Sequence, residues 1–178
     1  VALDCAATVG YATDAYGAAV SGCQRFELRR GESDGIRLIR FGQWLNELFD
    51  TTRPRLVVFE APFVYGKRPS SAQIAYRFTG KVEETCAARG IEYTSLPPAA
   101  LKWHATRKGT ANKDVMKAAA QAKWPHYDPE VDAGGDESDA LWLLDWVQSG
   151  MPERARPEKK RRTPPDPHHT APGVGAGR

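Results

Sequence analysis

The stretch "RLVVFEAPF", residues 55–63, decides what kind of sheet this chain builds. Leu56, Val57, Val58 and Phe59 follow one another with no polar residue between them. The run has the length of a strand, and a strand apolar on both sides is a central one with layers packed on both faces. It stops on a carboxylate, Glu60, and Pro62 lies just beyond.

Upstream, "SDGIRLIRFGQWLNELFD" (33–50) has helical period, with Leu38, Phe41, Leu45 and Leu48 on one stripe. Ser33 or Asp34 is placed to cap it, and Pro54 prevents its continuation. Before it, "VALDCAATVGYATDA" (1–15) and "GAAVSGCQRFELR" (17–29) read as three strands, with Gly10, Gly17 and Gly22 as the turn-prone breaks. Downstream, "SSAQIAYRFTGKVEETCAARG" (70–90) repeats Ile74, Phe78, Val82 and Cys86 every four residues, with Ser70 or Ser71 as cap and Gly90 as stop. "IEYTSL" (91–96) is a further strand, "NKDVMKAAAQAKW" (112–124) a helix, and "DESDALWLLDWVQSG" (136–150) the last helix. The expected order is β-β-β-α-β-α-β-α-α. That predicts an α/β domain with a five-stranded mixed sheet, three antiparallel strands followed by parallel ones, flanked by helices.

Carboxylates sit at telling points of this pattern. Asp4 ends the first strand and Glu60 ends the central one, where open α/β sheets bind ligands. Two acids on neighbouring parallel strands repel unless a cation offsets them. On a helical wheel of the last helix, the apolar stripe centres on Ala140, Leu143 and Val147. Asp136 falls within that stripe, Asp139 on its shoulder, Glu137 at its edge, and Asp145 on the solvent side. Acids are also welcome in a helix's first turn as caps. A cap needs only one of them, so two inward aspartates favour a site, and Glu137 is read as a helix-start acid. Four carboxylates without a His/Cys set imply a hard cation, Mg²⁺ or Mn²⁺. Such ions typically serve phosphoryl transfer, in pairs about 4 Å apart.

The totals bound the rest. The 178 residues are 41% hydrophobic, enough for one core. No run of about 18 apolar residues exists, no basic-then-apolar leader opens the chain, and Val1 stands where an initiator Met is expected. Cys5, Cys23 and Cys86 are odd in number and widely spaced, and read as buried or half-buried thiols of a reducing compartment. The expected location is cytoplasmic, in a bacterial cell or in the host if the gene is viral. The net charge of +3 divides unevenly. Residues 151–178 hold seven basic and three acidic side chains and six prolines, and read as a basic, disordered tail. Residues 1–150 carry 18 basic and 19 acidic side chains, so nucleic-acid affinity there must come from clustering. Lys67 and Arg68 in "VYGKRPSS", then Lys102, Arg107, Lys108, Lys113 and Lys117 around "WHATRKG", are such clusters. His104 and His126 are read as unpaired and left out of the chemistry, and Trp142 and Trp146 are assigned to the core.

Asp4 on the first strand, "FEAPF" on the fourth, "RKGTANKDVMKAAA" and "DESDAL" together resemble the RuvC-type Holliday-junction resolvases of the ribonuclease H-like superfamily. The resemblance covers residues 1 to about 149. It implies a ribonuclease H-like nuclease domain at 1–150, with Asp4, Glu60, Asp136 and Asp139 as catalytic, metal-binding acids holding two Mg²⁺ or Mn²⁺ ions. It implies that Phe63 stacks on a base, that Lys102 and Lys113 lie along the DNA, and that the chain works as a homodimer on branched DNA. The expected activity is metal-dependent cleavage of four-way junctions. The rivals are a related nuclease for RNA–DNA hybrid or RNA, and a non-catalytic nucleic-acid-binding protein. No GxxxxGK or GxGxxG occurs, which leaves a nucleotide-driven motor or a dehydrogenase unsupported.

Overall fold

The computed structural model describes residues 1–62 and 69–151, the side chains of 69–71 excepted. Phe63, Lys67, Arg68 and the tail from 152 on lie outside the described residues; the backbone at Ser70 and Ser71 is already part of the helix Pro69–Arg89, so neither precedes that helix as its cap. The strands are β1 (Ala2–Asp4), β2 (Thr8–Thr13), β3 (Val20–Arg25), β4 (Leu56–Glu60) and β5 (Glu92–Leu96). The helices are α1 (Asp34–Thr52), α2 (Pro69–Arg89), α3 (Pro98–Thr106), α4 (Lys113–Lys123) and α5 (Asp136–Gln148). The sheet order is β3-β2-β1-β4-β5. β1, β2 and β3 are antiparallel neighbours, while β1–β4 and β4–β5 are parallel. This is the five-stranded mixed sheet expected.

Alternation along the strands sorts the core into two layers. Ala2, Ala12 and Val58 pack with Leu101, Met116 and the apolar residues of α5. Leu3, Val9, Val57 and Phe59 pack on the other face with Phe41, Leu45 and Phe49 of α1 and with Phe78, Val82 and Cys86 of α2. The second layer is aromatic: Phe41 and Phe78 stack at 4.2 Å, with Phe26 edge-on to both. Asp4 shares the parity of Ala2, and Glu60 that of Val58, so both acids face the α5 side.

Four local readings change. α3 was not expected: "PPAALKWHAT" begins with two prolines, and Pro98 serves as a helix's first residue, where its missing N–H costs nothing. Gly10 and Gly22 lie inside strands, not at turns; Gly17 alone of the three turns the chain, at φ 83°. A Cβ on Gly10 would sit 1.8 Å from the Asp136 carbonyl oxygen, so glycine here lets α5 rest directly on β2. Leu48 is only partly buried and Phe49 takes the core position on α1. Cys23 is exposed, unlike Cys5 and Cys86, because β3 is an edge strand.

Candidate metal centre

Three elements deliver carboxylates to one point. β1 and β4 run parallel side by side, so Asp4 and Glu60 leave the sheet together at its C-terminal edge. α5 begins over the same edge, seated by Gly10, whose strand partner is Asp4. Ligand oxygens of Asp4, Glu60 and Asp139 lie within 4.8 Å of one another. Asp136 stands outside that trio but lines the same cavity of about 430 Å³, with Lys102, Lys113 and Ser138.

The electrostatics are those of partly buried acids that repel one another. Burial, then the charges of Glu60, Asp139 and Asp136, hold the Asp4 carboxyl well above the usual carboxylate range. Burial raises Glu60 as well, opposed by a hydrogen bond with Asp4 and by the ammonium groups of Lys102 and Lys113. Asp139 is pushed up to about 8 by burial and by Glu60, with Lys102 pulling the other way. Asp136 is raised by burial and held back by Lys113. Asp139 Oδ1 is buried with no hydrogen-bond partner among the described residues. A buried carboxyl oxygen left without a partner in such a place is costly unless a donor or a cation meets it. The donors are all carboxylate oxygens, which fits a hard divalent cation.

The sequence-level basic residues divide. Lys102 on α3 and Lys113 at the start of α4 line the cavity wall. Lys113 also donates to the Gly134 carbonyl. Arg107 and Lys108 are exposed beyond the end of α3 and do not line the cavity. Glu137 accepts a hydrogen bond from Ser21 at 2.7 Å, which ties α5 to β3.

Two expectations on the last helices fail. Asp145 does not face solvent: its side chain is 13% exposed, paired with His104 at 2.8 Å and Lys123 at 2.5 Å. His104 is therefore not unpaired. The wheel assumed one buried face, but α5 is enclosed by the sheet, α3 and α4, and buries Leu141, Trp142, Leu143, Leu144 and Trp146 around most of its girth. One residue that matters was missed altogether. Asp132 is buried and accepts the backbone N–H groups of Glu137 and Ser138.

No family model matches the chain, and no curated protein matches it in sequence. Solved structures do match. Thermus thermophilus RuvC in complex with a Holliday junction substrate superimposes with a TM-score of 0.66 at 16% identity, over 84% of this chain and 94% of that one. The fold is that of RuvC. A second Thermus thermophilus RuvC structure agrees, with a TM-score of 0.61 at 17% identity, over 84% of this chain and 95% of that one. The RuvC-type resemblance read from short motifs thus extends to nearly the whole of that fold.

Proposed function

We propose that this chain is a divalent-metal-dependent endonuclease that cuts four-way or otherwise branched DNA. The observation that carries the reading is the convergence of Asp4, Glu60 and Asp139, with an unpartnered buried oxygen, at the sheet edge of a RuvC fold. Asp4, Glu60, Asp136 and Asp139 would hold one or two Mg²⁺ or Mn²⁺ ions. Such ions, when bound, acidify a water and offset charge on the phosphodiester.

The protein's own groups supply position and exclusion. Asp4 and Glu60 are half-buried at the cavity floor, where partial loss of water leaves their oxygens available to a cation. Lys102 and Lys113, on the cavity wall, would orient the phosphate of a strand crossing it, as point charges fix a backbone without reading sequence. Arg107 and Lys108 would hold flanking phosphates, with Lys67 and Arg68, and Phe63 would stack on a base beside the cut. Two copies of the chain would present two such cavities, giving paired nicks.

The test is cleavage of a synthetic four-way junction beside linear duplex and RNA–DNA hybrid, in Mg²⁺ and in EDTA, by wild type and Asp139→Asn. Paired nicks on the junction alone, lost with EDTA and in the variant, are the expected result. Cutting of the hybrid instead would keep the metal site and remove the substrate. Binding without any cutting would make the chain a nucleic-acid-binding protein.

A further inference from the structure

We infer that Asp132 is a positioning residue for the acid cluster, resting on the reading of that cluster as a cation site. A helix's first N–H groups need acceptors, and the residue before the helix usually provides one from its side chain. α5 has no such residue. Its N-cap is Gly135, at φ 77°, with no side chain to offer.

Asp132, three residues earlier, takes over. Its Oδ2 accepts the Ser138 N–H at 3.0 Å and its Oδ1 the Glu137 N–H at 3.3 Å. The carboxylate is itself held from two other elements. The Tyr127 hydroxyl, after α4, donates to Oδ2 at 2.9 Å, and the Cys23 thiol of β3 approaches Oδ1 at 3.9 Å. Asp132 is 2% exposed. The intervening turn is fixed as well: Lys113 donates to the Gly134 carbonyl, and a Cβ on Gly134 would stand 2.2 Å from Asp136 Oδ2.

The consequence is a division of labour among the acids. Because Asp132 accepts the Glu137 and Ser138 N–H groups, neither Asp136 nor Asp139 is needed as a cap, although the Asp136 carboxylate lies close over Gly134. Both remain free to face the cavity, one turn apart, and Asp139 keeps its orphaned oxygen. Asp132 touches neither cavity nor ion in this scheme; it sets where α5 begins and therefore where its two carboxylates point. Partners hydrogen-bonded directly to metal ligands change metal affinity by about 10–100-fold when removed, and Asp132 orients its ligands through the helix that carries them.

Calorimetric titration of Mn²⁺ into the metal-free full chain tests this, with Asp132→Ala, Asp132→Asn and Asp145→Asn beside wild type. Asp132→Ala should bind Mn²⁺ about 10–100-fold more weakly. Asp132→Asn, whose amide oxygen still accepts, should recover part of that loss. Asp145→Asn, at the far end of the same helix, should lower the melting temperature without lowering affinity, which separates positioning from general destabilisation. A folded Asp132→Ala that binds Mn²⁺ as wild type does overturns the inference and leaves the metal site standing. Wild type that binds no Mn²⁺ overturns the metal site, and the inference with it. If Asp132→Ala does not fold, Tyr127→Phe decides. Faster amide exchange at Glu137 and Ser138 with weaker Mn²⁺ binding supports the role, and faster exchange with unchanged binding overturns it.

Discussion

The two ends of α5 treat a carboxylate in opposite ways. At its C-terminal half, Asp145 is met by His104 and Lys123 within hydrogen-bonding distance, and so clasps α3 and α4 to α5. At its first turn, Asp139 is likewise partly buried, yet one of its oxygens is buried and meets no donor among the described residues, and its nearest acid neighbours repel it. The clasp is finished by the protein itself and the first turn is not. Burying an ion pair can be roughly neutral for stability, whereas burying an uncompensated charge is destabilising. A fold that completes one end and leaves the other open fits the proposal that the open end takes a cation from solution.

Asp139→Asn should break the contrast most sharply. Junction cleavage in Mg²⁺ should fall at least about a hundredfold, as when a charge-stabilising group is removed from an active site. Single-turnover cleavage measures it, and near-wild-type rates would remove Asp139 from the chemistry. Gly10→Ala comes next. A methyl group 1.8 Å from the Asp136 carbonyl must push α5 off β2. Overpacking of this kind costs about 1–3 kcal/mol, and Mn²⁺ affinity should fall with it; urea unfolding and calorimetry read the two effects separately.

At the other end of the helix, Asp145→Ala should lower stability by about 1–3 kcal/mol, through the partners left without an acceptor. Metal affinity should hold, and a loss of affinity as large as that of Gly10→Ala would erase the distinction between the two ends. The smallest effect is expected from removing residues 152–178. That truncation should leave the melting temperature within about 2 °C, since segments of this composition bury little apolar surface, and at most weaken junction binding. A large drop would overturn the division at residue 150.

The sheet was legible because its signals are local and periodic. "LVVF" announces a doubly covered strand, and the parity of Asp4 and Glu60 follows from counting by twos. α3 was lost because nine residues that begin on Pro98, directly after Pro97, give too short a period to register. Asp145 was misplaced because a wheel assigns one buried side, and only the tertiary packing reveals that α5 is wrapped by three neighbours. Asp132 could not be found by periodicity at all. It lies in an irregular turn, and its importance comes from which N–H groups the turn brings to it. The available clue was the acid in "VDAGGD" (131–136), shortly before a Gly-Gly helix start.

The most direct test is thermal melting of the metal-free chain against pH, with and without Mg²⁺, for wild type and Asp139→Asn. A carboxyl raised from 3.8 to about 8 by folding keeps its proton in the native state after the unfolded chain has lost it. The native state therefore binds more protons across that window, and stability must fall as pH rises from about 4 to about 8. The expected result is a wild type that loses stability over that range, is restored by Mg²⁺ at about pH 8, and is surpassed in the absence of metal by Asp139→Asn, which Mg²⁺ restores little. A wild type indifferent to Mg²⁺ and less stable as Asp139→Asn would contradict the claim that this end of α5 is built to hold a cation.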